Sequence, residues 1–160
     1  MFTQKYLQEL FDYKDGNLYW KVTRGNRTYI GKKAGSKLPI GYEHIMIDGK
    51  YIYSHRAIFL YHHGHLPKIL DHINGIRNDN KVENLREVTS AQNAWNAKRK
   101  LGISGVKGVT WDKAQKKWMA QIKSNNKKIN IGRFNCIKEA EAQYKKYLAE
   151  YHGEYTREKQ

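Results

Sequence analysis

The sequence is poor in the residues that stabilise small secreted proteins and membrane anchors. Cys136 is the single cysteine among 160 residues, which excludes an internal disulfide and a cysteine-based zinc site. Only two prolines are present, and no run approaches the roughly 20 apolar residues of a membrane-spanning helix. Residues 1–5 lack the apolar core of a signal peptide. We therefore expect a cytoplasmic protein with no membrane role.

Acidic residues are also scarce. Fifteen Asp and Glu stand against 30 Lys and Arg, so the formal net charge is +15. Solubility does not require that excess, whereas a polyanionic partner does. The basic residues are interleaved with 12 Tyr and four Trp, which indicates an ordered nucleic-acid-binding protein and not a basic tail. A peripheral membrane protein is the alternative, but no segment sets a sustained apolar face against a basic one.

The first half of the chain contains several short periodic segments. Residues 3–11 have apolar side chains at helical spacing, and residues 18–22 alternate as in a half-buried strand. Residues 42–53 predict a β-hairpin with an Asp-Gly turn at its centre. Ser54 is expected to cap a helix over residues 55–63.

The most informative stretch is residues 70–95, which read LDHINGIRNDNKVENLREVTSAQNAW. A short apolar run brings Asp71 and His72 to its end, and a loop rich in Asn, Asp and Gly follows. A second run, residues 85–89, predicts a returning strand, and Ser90 predicts the N-cap of a polar helix. The expected order is strand, long loop, strand, helix.

Side chains on these elements can converge on one site. The Asp71 carboxylate and the Asn93 amide oxygen are ligand types that Mg²⁺ prefers, and two protein ligands leave room for phosphate and water. A neutral His72 can deprotonate a water molecule there. If the first strand extends through His72, the imidazole faces away from Asp71. If the strand ends earlier, the imidazole can turn toward the metal. Asn84 can hold the loop and orient His72. A purely structural loop in which Asp71 and Asn93 cap turns is the alternative.

At these residues the sequence resembles the HNH, or ββα-metal, nucleases, especially the phage and intron-encoded homing endonucleases. The Asp71-His72 pair carries the resemblance, with Asn84 twelve positions after His72 and Asn93 nine positions after Asn84. The resemblance implies that His72 is the general base and that Asn84 orients it. It also implies that Asp71 and Asn93 bind one divalent ion. Asn93 stands where many members have His, which favours Mg²⁺ or Mn²⁺ over zinc or nickel.

Other basic residues around this stretch are candidate contacts. The Ser-His-Arg unit at 54–56 recurs before the motif in HNH relatives, and we expect His55 or Arg56 to make a structural or phosphate contact. Arg77, in the loop, is a further possible phosphate contact. Residues 24–37 predict a solvated loop, with a phosphate-binding arm as the alternative. Three further histidines are interpreted as surface residues: His62, His63 and His65.

The final third has a different pattern. A basic, glycine-containing segment at 99–105 predicts a linker. Three alternating runs and a helical run then predict a three-stranded antiparallel sheet with a helix across it: 107–111, 117–123, 128–134 and 137–151. In the middle strand one face is apolar and packs on the helix, through Trp118, Ala120 and Ile122. The opposite face is polar and cationic, through Lys117, Met119, Gln121 and Lys123, as suits a DNA groove.

This segment resembles the DNA-binding domain of the plant apetala-two and ethylene-response family, which also occurs fused to phage HNH nucleases. The resemblance is carried by Gly108, Val109, Trp111, Trp118, Ala120, Ile122, Ile131, Gly132, Phe134, Glu139, Ala140, Tyr144 and residues 152–155. It implies major-groove recognition by the exposed sheet face. The candidate DNA contacts are Lys107, Thr110, Gln121, Lys123, Lys128 and Asn130, with Lys98, Arg99 and Lys100 from the basic run before the sheet. Gln121 and Asn130 can recognise adenine, whereas lysines more often contact phosphate.

Together these patterns predict an α+β protein with an HNH nuclease domain at 1–98 (core motif 68–98), a basic linker at 99–105 and an apetala-two-like domain at 106–160. We expect hydrolysis of phosphodiester bonds in double-stranded DNA, with one Mg²⁺ or Mn²⁺ per active site and no small-molecule cofactor. One metal and one base cut one strand per visit, so a monomer nicks; the oligomeric state stays open. A non-catalytic DNA-binding protein on the same scaffold is the alternative. An RNA-binding protein is a weaker one, because the sheet at 117–123 lacks exposed aromatic residues.

Overall fold

A computed structural model describes residues 2–97, 101–124 and 127–155. Its packing divides the chain into two compact units, Met1–Val88 and Thr89–Gln160. Within the described ranges, four helices and four small antiparallel sheets confirm the predicted α+β class. The first unit ends ten residues before the predicted domain boundary at 98, because residues 90–96 pack with the second unit.

The first unit opens with the predicted helix α1 (Gln4–Leu10), whose first turn is capped by the Thr3 hydroxyl. The chain then passes directly into a hairpin of β1 (Phe11–Lys14) and β2 (Asn17–Trp20), of which only the second strand was expected. Gly16 forms the turn at φ +78°, and a Cβ there would lie 2.8 Å from the Lys81 nitrogen. The Tyr13 hydroxyl accepts a hydrogen bond from the Val82 amide at 3.1 Å. The hairpin therefore packs closely against residues 81–82.

A three-stranded sheet follows, in the order β3 (Ser36–Lys37), β4 (Glu43–Ile47) and β5 (Lys50–Tyr53). The predicted hairpin is confirmed, with Asp48 and Gly49 both at positive φ, as a two-residue turn requires. Residues 24–35 are largely irregular and exposed. Along β4 the side chains alternate, so that Ile45 and Ile47 are buried while Met46 is exposed.

Helix α2 (Ser54–His63) supplies much of the core of the first unit. Ser54 was expected to be its N-cap, and that expectation is wrong. Tyr53 holds the N-cap position in extended conformation, because β5 leads straight into the helix, and Ser54 is the first helical residue. Gly64 ends the helix in the left-handed region. Four consecutive helical side chains are buried in the core: Ala57, Ile58, Phe59 and Leu60.

The Asp-His stretch forms a second, smaller hairpin-like unit. Strand β6 (Leu70–His72) pairs antiparallel with β7 (Leu85–Glu87), and a 3-10 helix (Val82–Asn84) precedes β7. The predicted order of strand, loop and strand is confirmed. The short 3-10 helix was not predicted, since three residues carry no periodic signal.

The second unit begins with α3 (Ser90–Asn96). Its cap is Thr89 and not Ser90 as predicted, because the Thr89 hydroxyl accepts from the Gln92 amide and the Gln92 side chain accepts from the Thr89 amide. The Trp95 ring stacks on His152 with 4.1 Å between ring centroids. This stacking assigns α3 to the second unit. The helix ends at Asn96, and Ala97 is its C-cap in extended conformation.

The rest of this unit has the predicted sheet-and-helix arrangement. Strands β8 (Val109–Asp112), β9 (Lys117–Ser124) and β10 (Lys127–Phe134) form an antiparallel sheet in the order β10-β9-β8. Helix α4 (Ile137–His152) packs across one face. The core consists of Val109, Ala120, Ile122, Ala140 and Tyr144, with Trp118 packed against it. The prediction that the apolar face of the middle strand packs on the helix is confirmed.

Candidate active site and nucleic-acid surface

Asp71 and His72 lie on one strand and face opposite sides of it, so of the two orientations predicted for His72 the structure shows the one that faces away from Asp71. Strand β6 extends through His72, and in the register with β7 Asp71 is opposite Arg86 while His72 is opposite Leu85. Arg86 Nη2 lies 3.2 Å from Asp71 Oδ2, and both side chains are largely buried. The arginine supplies the charge that a buried carboxylate requires. Arg86 was missed in the sequence, although pairing the two predicted strands places it directly across from Asp71.

His72 is buried and held by an asparagine. Its Nε2 lies 3.1 Å from Asn80 Oδ1, and Asn80 is itself only 2% exposed. In the tautomer that carries its proton on Nε2, the ring donates to this amide oxygen and Nδ1 carries the basic lone pair. Burial lowers the pKa of His72, partly offset by the Asn80 hydrogen bond and by the charges of Asp71 and Asp79. The imidazole is therefore neutral near pH 7, as a general base must be.

Asn84 was predicted to orient His72, but the structure gives that contact to Asn80. The buried Asn84 amide instead holds the loop: it accepts from the Asn74 amide at 3.0 Å and donates to the Asp79 carbonyl at 2.7 Å. The Asn84 carbonyl accepts from the Ile73 amide at 2.9 Å. Asn80 precedes Asn84 in the chain, and the loop brings Asn80 against the His72 ring. Asn84 therefore holds in place the loop that carries Asn80. The part of the prediction that concerned holding the loop is confirmed.

His55 belongs to the same cluster. Its ring centroid lies 5.1 Å from that of His72 and 5.3 Å from that of Tyr42. Burial lowers the pKa of His55 to about 3, and the charges of His72 and Arg56 act in the same direction. Within the described ranges, His55 Nδ1 meets no hydrogen-bond partner. His55 is thus a neutral packing residue against His72.

The other basic candidates of the first unit divide into structural and exposed residues. Arg56 donates to the Pro67 carbonyl at 3.0 Å, which makes its contact structural. Arg77 donates to the Ile40 carbonyl at 2.7 Å, and its guanidinium lies 5.2 Å from the centroid of the Tyr42 ring. Its side chain is exposed and can also meet a phosphate. The three surface histidines are exposed as predicted: His62, His63 and His65.

The residues predicted to bind metal can be assessed by their donor chemistry. No group of three or more His, Cys, Asp or Glu side chains that could hold a metal occurs among the described residues. Of the two predicted ligands, Asp71 is buried in the first unit and Asn93 is exposed on α3 in the second. A carboxylate and an amide are each oxygen ligands of the kind that Mg²⁺ takes with water and phosphate. The chemistry of each side chain fits that ion.

The predicted DNA contacts of the second unit fall mainly on one sheet face. The register pairs Gln121 with Asn130 and Lys123 with Lys128, and Thr110 pairs with Met119 on the other side. Lys123, Lys128, Thr110 and Asn130 are exposed. Arg133, which the sequence did not single out, is opposite Met119 and pairs with Asp112 at 2.9 Å.

Two groups of predicted contacts have a different outcome. Lys107 was expected to contact DNA, but its Nζ donates to the Trp95 carbonyl at 2.7 Å. Its ammonium group therefore has a structural role in joining α3 to the start of the sheet. The basic run predicted to contact DNA, Lys98, Arg99 and Lys100, lies outside the described residues.

Comparison with known proteins agrees with this arrangement. Residues 53–95 match the HNH endonuclease family model, and residues 104–154 match the model of the AP2 domain. These matches define a protein with an HNH endonuclease domain followed by an AP2 DNA-binding domain, which confirms both predicted resemblances. The chain is also 32% identical to Protein 3.8 of Escherichia phage T7 over 97 residues, 59% of this chain and 79% of that protein. The chain belongs to the family of that phage protein.

No solved structure matches the chain. Among the described residues, no helix has the length and apolar character needed to cross a membrane.

Proposed function

We propose that this chain is a metal-dependent endonuclease of the homing type that hydrolyses phosphodiester bonds in double-stranded DNA, one strand per visit. The observation that carries the proposal is the neutral, buried His72, fixed by Asn80 and adjacent in sequence to the Asp71–Arg86 pair. This constellation lies inside the HNH endonuclease match. A net charge of +15 supports a polyanionic substrate.

The tautomer of His72 determines which ring nitrogen can act as the general base. With the proton on Nε2 bound by Asn80, Nδ1 accepts a proton from water, and the resulting hydroxide attacks the phosphorus. Asn84 keeps the loop that carries Asn80 in place. Asp71 and Asn93 would hold one Mg²⁺ or Mn²⁺, which supplies charge stabilisation for the phosphate and the leaving 3′ oxygen. Arg77 is exposed beside this cluster and supplies a donor for a neighbouring phosphate.

The second unit holds the duplex in this proposal. Gln121 and Asn130 form a pair of adjacent amides on the sheet face, which suits recognition of adenine in the major groove. The pair of Lys123 and Lys128 provides phosphate contacts. Kinship with a phage protein supports action inside a phage-infected bacterium.

The test is nicking of supercoiled plasmid by the purified full chain with and without Mg²⁺. We expect Mg²⁺-dependent conversion to the open-circular form, loss of that conversion in His72→Ala, and DNA affinity within a few-fold of the parent. Asp71→Ala should abolish the response to Mg²⁺. His63→Ala is the matched control, because His63 is an exposed histidine outside the cluster. DNA binding by the parent without any nicking would instead support a non-catalytic DNA-binding protein.

A further inference from the structure

The outer face of the sheet β3-β4-β5 carries aromatic rings where a solvated sheet normally carries polar side chains. The register places His44 opposite Tyr53 and Met46 opposite Tyr51. Tyr51 is 66% exposed, Met46 56% and Tyr53 40%. We call this surface, formed by Tyr42, His44, Tyr51 and Tyr53, the aromatic face. Exposed apolar groups of this size, gathered on one face, commonly mark an interaction site.

The rings of the aromatic face are in contact and continue to the candidate active site. The His44 and Tyr51 centroids lie 4.6 Å apart, and those of Tyr42 and Tyr53 lie 5.5 Å apart. Tyr42 in turn lies 6.0 Å from His72. A shallow depression of about 270 Å³ opens on the same face, lined in part by His44, Tyr51 and Tyr53. A flat ligand bound here would therefore lie near His72.

The charges around the aromatic face identify the chemistry of that ligand. The Arg77 guanidinium stands 5.2 Å from the Tyr42 centroid, and Lys37 and Lys50 are exposed on the outer strands of the same sheet. Exposed rings bordered by cations are the features with which proteins bind single-stranded nucleic acid, by stacking on bases and neutralising phosphates. A base in a duplex is already stacked on both faces. Only an unpaired base can use these rings.

We propose that the aromatic face binds an unpaired base of the DNA strand next to the phosphate that His72 attacks. The enzyme then prefers DNA that is locally open, such as a bubble or a gap, over a fully paired duplex. This inference rests on the proposed function, since it takes DNA as the substrate at His72. It adds a second recognition element within the first unit, separate from the sheet face at Lys123 and Lys128.

The test compares the affinity of the full chain for two DNA probes by fluorescence anisotropy in EDTA, so that no cleavage occurs. One probe is a fully paired duplex, and the other is the same duplex with a short central bubble. We expect the parent to bind the bubble more tightly. The double variant Tyr51→Ala/Tyr53→Ala should lose roughly 10-fold in affinity for the bubble, as expected when stacking on one base is lost. Its affinity for the duplex should change less than two-fold.

Three controls separate stacking from other effects. Tyr51→Phe/Tyr53→Phe keeps both rings and should retain the preference for the bubble. Tyr151→Ala removes an exposed tyrosine from helix α4 of the second unit and should leave both affinities unchanged. A bubble whose unpaired positions are abasic offers no base to stack and should bind like the duplex. Circular dichroism of each variant confirms that the fold is kept.

Several outcomes would overturn the inference. These are equal affinity of the parent for bubble and duplex, equal loss by the double variant on both probes, or undiminished binding of the abasic bubble. Tighter binding of an RNA strand than of the DNA strand would assign the aromatic face to RNA. Plasmid nicking without a preference for the bubble removes only this inference. A preference for the bubble without nicking removes the proposed nuclease activity and leaves the aromatic face as a binding site for an unpaired base.

Discussion

Arg86 and Asp71 face each other directly across the two-stranded sheet, with 3.2 Å between Nη2 and Oδ2. Their side chains are only 14% and 10% exposed. Removing one member of a buried pair leaves the other charge without compensation, which typically costs about 3–5 kcal/mol. The pair therefore gives the buried Asp71 carboxylate a charged partner within the protein.

This arrangement predicts that Arg86→Ala lowers the free energy of unfolding by roughly 3 kcal/mol. Urea denaturation measures the loss. The double variant Arg86→Met/Asp71→Asn should recover much of it, since no charge is then left unpaired. Lys21→Ala serves as the control, because the Lys21–Asp12 pair is exposed and 3.8 Å apart. An equal effect of Arg86→Ala and Lys21→Ala would contradict the assigned role.

A second prediction concerns Asn80. Asn80→Ala removes the acceptor that fixes the Nε2 proton of His72, so the ring is free to adopt the other tautomer. We expect plasmid nicking to fall by about 10²-fold while DNA affinity is kept, since general-base contributions are of order 10²–10⁴. Single-turnover nicking rates and anisotropy titrations separate the two effects. Asn78→Ala, at an exposed position of the same loop, is the control.

Acid should destabilise the first unit through His55. Its folded-state pKa of about 3 lies below the ordinary histidine value, because the ring is buried and faces His72 and Arg56. The unfolded chain then binds more protons, so the contribution is complete above about pH 6.5 and is lost as pH falls toward 3. The total is at most about 5 kcal/mol.

Urea denaturation between pH 7.5 and 4.5 measures this dependence. His55→Gln cannot titrate, so its stability should fall less steeply with acid than that of the parent. The pH dependence of stability that remains in His55→Gln comes in part from His72, whose pKa is also lowered by burial. Identical slopes for parent and variant would show that His55 does not remain buried and neutral.

Alanine substitutions of the lysines in the second unit should differ in their effect on the salt dependence of DNA affinity. Lys123→Ala and Lys128→Ala each remove an exposed charge from the sheet face and should reduce the slope of log affinity against log salt by about one. Lys107→Ala should instead lower the melting temperature with the slope unchanged, because Lys107 Nζ is bound to the Trp95 carbonyl. A reduced slope in Lys107→Ala alone would reverse these assignments.

Much of this architecture could be predicted from the sequence because its signals are local. The Asp48-Gly49 turn, the alternation in β9 and the fixed spacing from Asp71 to Asn93 each depend on neighbouring residues. Strand β1 was missed because its four residues directly follow a helix and offer too short an alternating pattern. Thr89 and Ser90 are both good caps, and only the reciprocal bonds with Gln92 distinguish them.

In the candidate site, too, the contacts that depend on how the chain closes could not be predicted from local sequence patterns. That Asp71 and His72 end a strand follows from the apolar run before them, but which asparagine reaches the imidazole does not. Asn80 and Asn84 lie in one polar loop, and closure of that loop decides that Asn80 meets the ring while Asn84 binds the backbone. Arg86 could have been found by pairing the two strands, a step that requires a register and not only a motif.

The contacts of Gly16 and Tyr13 with residues 81–82 bear on which fragment of the chain can fold. The matched HNH segment starts only at residue 53, so a fragment cut at that point would lose the hairpin that packs against residues 81–82, at the end of the loop that carries Asn80. The first twenty residues therefore support the segment that carries His72. A fragment meant to keep the proposed nuclease activity should include them.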